Sequence, residues 1–366
     1  MCCAAHISLP RSKCTHTRNR RSVISSVGRR NVNEGRLRAY RDLRQNVVTR
    51  HMGQKNFRGR WKMEFEILID DLFENAAASS IVGYIKNKSV LSLINDFEDG
   101  KWRAKKFQNF IWDNVKETAL SLQERNSLVG KESSLLEAAA KNLRLTDNDE
   151  DIGKGSELAE ILLYGIMKHH YKALSVVPKI FYKQNVNDLA KGADSVHIVI
   201  DDFGDFSLWF GEAKFYTSIE NSRLGTIVES VKNSLDPNKL RKENAIITNV
   251  SDIDHLDIDQ VLRDQIKASL DQRRSLDEIK PKINVPILLL HECEITQNAN
   301  ELTEEYREEI KSHHLSRAAA YFGKQVNELS GIFKYNEIKF HIILFPVPYK
   351  SPIIDAFVEK ALHLRD

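Results

Sequence analysis

The spacing of hydrophobic residues changes several times along the chain, and each change predicts a change of element. Alternating apolar residues in MEFEILIDDLF, which starts at Met63, predict a strand. Apolar residues three and four apart predict helices instead, most clearly over 155–171 (GSELAEILLYGIMKHHY). The other predicted helices are 75–87, 105–131, 133–145, 222–235, 257–270, 302–330 and 353–364.

Short β-branched and apolar runs predict the remaining strands. These runs cover 176–183, 195–200, 206–216, 244–250, 285–292 and 339–347. A turn (DDFGD) separates the second run from the third, so those two strands are predicted to form a hairpin. The segment 156–250 therefore has the order α-β-β-β-α-β, and a β-α-β-α extension follows. Strands that alternate with helices indicate an α/β fold with a mixed central sheet covered on its faces.

Charge separates the amino-terminal residues from the rest. Residues 1–62 carry sixteen Lys and Arg against two acidic residues, a net charge of +14, so in a chain of net charge +3 the other 304 residues carry −11. This leader has no apolar period, which is typical of a disordered or nucleic-acid-contacting arm. An alternative stays open, in which the start of translation is placed too far upstream and the folded chain begins near Met63.

We divide the chain at the polar segment 146–155 (TDNDEDIGKG), the predicted linker. The predicted regions are the leader 1–62, an α/β accessory region 63–150, and a domain with its extension at 151–366. No apolar run approaches the roughly 18 residues of a membrane span, and the start has no apolar signal region. Four cysteines in 366 residues do not make a disulfide framework, so we expect a cytoplasmic protein.

Several familiar motifs are incomplete. The glycine that a phosphate-binding loop needs upstream of Gly153-Lys154-Gly155-Ser156 is missing, so we expect no ATP site. The pairs His169-His170 and His313-His314 lack the i, i+4 spacing of a zinc helix, and we expect solvated histidines there.

Charged residues interrupt one apolar strand. In 206–216 (FSLWFGEAKFY), Glu212 and Lys214 are two residues apart and therefore share a face. Burial of both charges is costly unless they pair or meet a metal ion. Asp194 stands eighteen positions before Glu212, where the predicted hairpin brings it alongside. Two carboxylates can hold a divalent cation, and the ammonium can orient or deprotonate a water molecule or neutralise a phosphate. The pattern indicates metal-assisted phosphodiester cleavage; a buried ion pair without chemistry is the alternative.

A third acidic residue is predicted on the helix 155–171. Glu157 and Glu160 are three residues apart and share one of its faces. Glu160 is flanked by Ala159 and Ile161 and is the favoured site residue. Glu157 is held in reserve, because an acid in the first turn of a helix commonly stabilises the helix dipole.

The order helix-Glu, strand-Asp, hairpin, strand Glu-x-Lys, helix, strand resembles the PD-(D/E)xK, or restriction-endonuclease-like, superfamily. Ala193 stands where the usual motif has proline. The longer sequence from Met63 onward is similar to HamA, the nuclease subunit of the Hachiman antiphage defence system. The segments that carry this similarity are MEFEILIDD, GSELAEILLYGIM, KGADSVHI and GEAKFY. The resemblance implies that Mg²⁺ or Mn²⁺ is held by Asp194, Glu212, the Ala213 carbonyl and Glu160, with Lys214 positioning or activating a water molecule.

The resemblance also implies DNA as the substrate and control by a superfamily 2 helicase (HamB-like). The candidate DNA contacts, for which a solvated basic face is an equal alternative, are Arg223, Lys232, Lys239, Arg241 and Lys242. Two other functions stay open: a catalytically silent module that binds DNA or a helicase, and a stand-alone restriction or repair endonuclease. The intact set of four site residues argues against the silent module.

Overall fold

The structure is a computed structural model that describes residues 63–73, 86–145, 155–183, 193–249, 251–271 and 273–366. The leader 1–62, nearly all of the predicted helix 75–87 and all but Gly155 of the predicted linker lie outside these ranges.

Seven of the described strands form one mixed sheet, and β3 and β4 form a separate small ribbon. The strands are β1 (Glu66–Leu72), β2 (Lys88–Ile94), β3 (Phe97–Glu98), β4 (Lys101–Trp102), β5 (Leu174–Val177), β6 (Ser195–Ile200), β7 (Phe206–Tyr216), β8 (Ile283–Glu292) and β9 (Lys339–Val347). The order across the sheet is β1-β2-β9-β8-β7-β6-β5. The four strands β2, β9, β8 and β7 are parallel, and β1, β6 and β5 run antiparallel to their neighbours.

Helices cover both faces of this sheet. They are α1 (Ala104–Ala119), α2 (Leu122–Ser127), α3 (Glu132–Lys141), α4 (Ser156–His169), α5 (Lys179–Lys183), α6 (Asn221–Ser234), α7 (Pro237–Asn249), α8 (Gln260–Ser269), α9 (Leu276–Ile279), α10 (Glu294–Asn298), α11 (Glu304–Leu329) and α12 (Lys350–Arg365). Short 3-10 turns occur at Ser251–His255, Lys280–Lys282 and Tyr335–Glu337. None of the helices in the described ranges combines the length and apolarity needed to cross a bilayer.

Side chains of β7 point alternately into two hydrophobic cores, one on each face of the sheet. Leu208 and Phe210 belong to the core beneath α6, α7, α8 and α11. Trp209 and Phe215 belong to the core beneath α1, α3, α4 and α12. Successive strand residues point to opposite faces, so one strand buries apolar side chains on both. The predicted α/β class with a mixed, covered sheet is confirmed.

One predicted strand is wrong. Residues 244–250 were expected to complete the α-β-β-β-α-β order, but they lie mostly in helix α7. The Asp236 side chain accepts hydrogen bonds from the Asn238 and Lys239 amides at the start of this helix, just beyond Pro237. The strand that follows α6 in the sheet is instead β8, which pairs in parallel with β7.

Two further boundaries differ from the prediction. The expected strand 176–183 ends at Val177, and α5 begins just after Pro178, which cannot donate to a sheet ladder. The expected helix 105–131 is two helices, because Ser121 and Glu124 form a capping box that starts α2.

Candidate active site

The β6–β7 hairpin sets the position of Asp194. At its turn, the Asp201 carboxylate accepts hydrogen bonds from the Phe203 and Asp205 amides, both at 2.9 Å. The resulting register pairs Ser195 with Gly211. The Asp194 amide then donates to the Gly211 carbonyl at 2.8 Å, which places Asp194 beside Glu212, as the spacing predicted.

Three of the predicted site residues meet in the structure. The Lys214 ammonium nitrogen lies 2.5 Å from Oε1 of Glu212 and 3.6 Å from Oδ2 of Asp194. The same Oδ2 atom accepts a 3.0 Å hydrogen bond from the Ala213 amide. Glu212 is buried, with 6% of its surface exposed. Two carboxylates thus converge on one ammonium group at the end of a strand pair.

These three side chains project from one face of the sheet. A side chain at position 211 would collide with Ser195 and with Leu163 of α4, so Gly211 faces α4. Because residues alternate along β7, Glu212 and Lys214 point to the other face, which α6 and α11 cover.

Burial and charge act on the titration of the site. Burial raises the pKa of the Glu212 carboxyl above its usual value, and the nearby negative charge of Asp194 raises it further. For Lys214, burial lowers the pKa, but the two carboxylates outweigh burial and the pKa is raised. Lys214 is therefore an ammonium ion at neutral pH in this arrangement.

One site residue was missed by the sequence analysis. Ser230 of α6 donates a 2.5 Å hydrogen bond from its hydroxyl to Oε1 of Glu212. Ser230 lies between Val228 and Val231, which are buried on α6. A hydroxyl next to the apolar stripe of a predicted helix was the feature of the sequence that could have indicated it.

The two acidic residues of α4 have different surroundings. The Glu157 carboxylate accepts hydrogen bonds from the Arg144 amide at 2.9 Å and from the Leu145 amide at 3.0 Å. Glu157 thus holds the chain that follows α3. Glu160 is buried on α4, the helix that covers the face opposite Glu212. In the described ranges, the contacts that hold Asp194, Glu212 and Lys214 together are the two ion pairs of Lys214 and the Ala213 amide, and Glu160 is not one of the residues in them.

The predicted DNA contacts lie on α6 and α7. The Arg223 guanidinium lies 5.7 Å from the centre of the Tyr216 ring. Lys232 forms ion pairs with Glu328 at 3.6 Å and with Glu229 at 3.8 Å. On α7, Lys239 and Arg241 are exposed and Lys242 is half-buried.

The expectation of solvated histidines is wrong for His314. This residue is fully buried, its Nδ1 atom lies 2.7 Å from the Ser92 hydroxyl, and its Nε2 atom lies 3.2 Å from Nε2 of His291. Long-range packing of α11 against β2 and β8 brings these residues together, which the local sequence does not reveal.

The donor atoms of the site suit a hard cation. Asp194 and Glu212 offer carboxylate oxygens, and their mutual repulsion would be relieved by a positive charge. Mg²⁺ prefers oxygen ligands and commonly uses only one or two carboxylates with water. In the described ranges, no group of three or more His, Cys, Asp and Glu side chains is arranged to hold a metal ion. A cation here would therefore rest on these two carboxylates, backbone oxygen and water.

The fold and this site define an α/β protein with an Asp…Glu-x-Lys constellation on a hairpin. The chain belongs to the HamA family, whose family model, described as HamA, matches residues 70–361. It is therefore a component of a Hachiman antiphage defence system. A comparison with curated proteins found no match.

Proposed function

We propose that this protein is a divalent-metal-dependent deoxyribonuclease of the PD-(D/E)xK type, the nuclease effector of its defence system. The observation that carries the proposal is the placement of Lys214 within 2.5 Å of Glu212 and 3.6 Å of Asp194. An ammonium beside two carboxylates supplies both a cation site and a positive charge for a phosphate.

Asp194 and Glu212 would hold Mg²⁺ or Mn²⁺, with the Ala213 carbonyl as a further ligand. Glu160 lies on the helix that covers the opposite face of the sheet, so any contribution from it would be indirect. When bound, the ion lowers the pKa of a coordinated water and offsets charge on the phosphate. Ser230 keeps Oε1 of Glu212 oriented by its 2.5 Å hydrogen bond. The Ala213 amide does the same for Oδ2 of Asp194.

Lys214 would act mainly as a charge. Its raised pKa keeps the ammonium protonated, so it can orient the attacking water by hydrogen bonding and stabilise the developing negative charge. In this structure Lys214 serves as the counter-ion of both carboxylates, and its flexible stem would let the ammonium reach a phosphate bound beside them.

Control would come from a partner. A sequence-nonspecific DNA nuclease is toxic to its own cell, so we propose that a superfamily 2 helicase restrains this chain and releases it on aberrant DNA. The exposed basic residues of α6 and α7 would guide the DNA backbone to the site.

The test is degradation of plasmid DNA by the purified protein, with and without the helicase, in Mg²⁺ or EDTA. We expect Mg²⁺-dependent cleavage that Lys214→Ala abolishes. Lys282→Ala is a matched control, because Lys282 also pairs with an aspartate of the hairpin, at 2.6 Å from Asp205 at the turn end. Equal behaviour of wild type and Lys214→Ala under every condition would refute the catalytic proposal.

A further inference from the structure

A buried ion pair lies beside Ala193 and Asp194, the two residues that precede strand β6. The Lys179 ammonium of α5 contacts both carboxylate oxygens of Glu243 in α7, at 3.0 Å and 2.8 Å. The exposed fractions of the two side chains are 3% and 4%. A buried pair of this kind is a poor source of stability, because desolvation of both charges offsets much of their attraction. Its presence calls for a different explanation.

The Glu243 carboxylate has a second partner. Its Oε1 atom accepts a 2.9 Å hydrogen bond from the amide of Ala193, the residue before Asp194. Ala193 is itself buried. A proline at position 193 has no N–H group and could not make this bond.

The neighbouring strand does not extend far enough to supply this hydrogen bond. The last pair between β5 and β6 joins Val177 to Val196, so Ala193 lies beyond the end of that ladder. A buried amide without an acceptor is costly, and Glu243 provides the acceptor where the sheet no longer does.

We propose that Glu243, held in place by Lys179, is a positioning residue for Asp194. The backbone before Asp194 is fixed by Glu243, and the Asp194 amide is fixed by the Gly211 carbonyl at 2.8 Å. With its backbone held by these two bonds, Asp194 accepts a hydrogen bond at its Oδ2 atom from the Ala213 amide, at 3.0 Å. The catalytic consequence of this arrangement rests on the proposed nuclease function.

Two double variants of the full chain separate positioning from charge burial. Lys179→Met with Glu243→Gln removes both charges but keeps an oxygen that can accept the Ala193 N–H. Lys179→Met with Glu243→Leu removes the charges and the acceptor. Apolar replacement of a buried ion pair is commonly neutral for stability, so we expect both variants to fold, with a lower Tm for the Met/Leu variant because its Ala193 amide has no acceptor.

Selective ¹⁵N-alanine labelling follows the amides of Ala193 and Ala213, each identified by its loss in Ala193→Ser or Ala213→Ser. We expect wild-type hydrogen exchange at both amides in the Met/Gln variant. In the Met/Leu variant we expect exchange at both to accelerate by about tenfold or more through local opening. Mg²⁺-dependent cleavage should fall by about 10–100-fold in that variant alone, as for other residues that orient a metal ligand.

The Ala213 amide is the decisive probe, because its acceptor is the Asp194 side chain itself. Faster exchange at Ala193 with unchanged protection at Ala213 would overturn the positioning role and leave a purely local hydrogen bond. If the wild-type protein cleaves no DNA, the proposed nuclease function fails, while exchange at Ala213 still decides whether Glu243 positions Asp194.

Discussion

The Ser230 hydroxyl lies 2.5 Å from Oε1 of Glu212 and donates to the oxygen that also contacts Lys214. A hydrogen bond therefore joins helix α6 to strand β7 at the candidate active site. This bond lowers the pKa of Glu212 and opposes the effects of burial and of Asp194, which raise it.

Replacement of Ser230 by alanine tests this relationship. Without the donor, the pKa of Glu212 rises further, so the ionised carboxylate is lost at a higher pH as the solution is acidified. We expect cleavage to fall by about tenfold near neutral pH and the acidic limb of the pH–rate profile to move upward. Ser230→Thr keeps a hydroxyl and should retain the wild-type profile. An unshifted acidic limb in Ser230→Ala would contradict the assignment.

Addition of Mg²⁺ should stabilise the folded protein. Binding to Asp194 and Glu212 at a free Mg²⁺ concentration ten times Kd contributes about 1.4 kcal/mol, visible as a rise in Tm over the EDTA sample. Asp194→Asn should fold, because the amide oxygen can still accept from Ala213 and the Glu212–Lys214 pair is intact. It should show neither the Mg²⁺-dependent rise nor cleavage. A wild-type Tm that Mg²⁺ leaves unchanged would argue for an ion pair without metal chemistry.

The two acidic residues of α4 should separate into structural and catalytic roles. Glu157→Gln weakens the hydrogen bonds to the Arg144 and Leu145 amides, and we expect a loss of about 1–3 kcal/mol in the free energy of unfolding. Leu145 has a φ of 49°, a backbone conformation that residues other than glycine rarely adopt. The hydrogen bond from its amide to Glu157 therefore matters more for holding this conformation. Cleavage at a temperature where the variant is folded should be retained.

Glu160→Gln is the matched variant for that experiment. If Glu160 assists at the metal site, cleavage falls while the free energy of unfolding changes less than in Glu157→Gln. The opposite pattern, with Glu157→Gln inactive while folded, would return Glu157 to the site.

Local sequence was sufficient for the hairpin residues of the site. Glu212 and Lys214 lie on β7, and Asp194 directly precedes β6. A short turn joins these two strands, so the two-residue period and the turn residues determine the proximity of the three residues. Ser230 and Glu243 come from helices whose contact with the hairpin depends on the packing of the whole sheet. Their polar side chains were visible in the sequence, but their partners were not.

The sheet shows the same division. The sequence predicted β6, β7, β8 and β9 within about two residues, because each is a buried apolar run. The pairing of β2 with β9 joins residues such as Val90 and Ile342, which no local pattern relates. The expected strand at 244–250 failed because β-branched residues such as Ile246 and Ile247 are buried at helix α7, where tertiary packing overrides their strand preference.

Lys239 should contribute to DNA binding more than Lys232 does. Lys239 is exposed at the start of α7, whereas Lys232 is engaged by Glu328 and Glu229. Lys239→Gln should weaken binding uniformly across sequences and reduce the slope of log K against log salt concentration by about 1. Lys232→Gln is the control and should change the slope less. Fluorescence anisotropy with labelled duplex DNA between low and high salt measures both, and equal slopes in wild type and Lys239→Gln would exclude a phosphate contact.

Buried histidines should make the protein less stable in mild acid. His197 is 1% exposed, and its two ring nitrogens have no hydrogen-bond partner among the described residues. Burial lowers its pKa from 6.5 to about 3. As the pH falls below 6.5, the unfolded chain takes up a proton here and the folded chain does not. The free energy of unfolding therefore falls, with a slope for this residue that approaches about 1.4 kcal/mol per pH unit well below pH 6.5.

His197→Phe places another aromatic ring beside Tyr164, whose ring centre lies 5.2 Å from that of His197, and removes the titrating group. We expect the slope of unfolding free energy against pH to fall by about 1 kcal/mol per pH unit between pH 6.5 and pH 5, measured by urea unfolding. The variant should be at least as stable as wild type at pH 7.5, because two buried nitrogens no longer lose their hydration on folding. His291 and His341, whose pKa values burial lowers to about 4 and about 3, keep the rest of the acid sensitivity. An unchanged slope in His197→Phe would show that His197 is hydrated or hydrogen-bonded in solution.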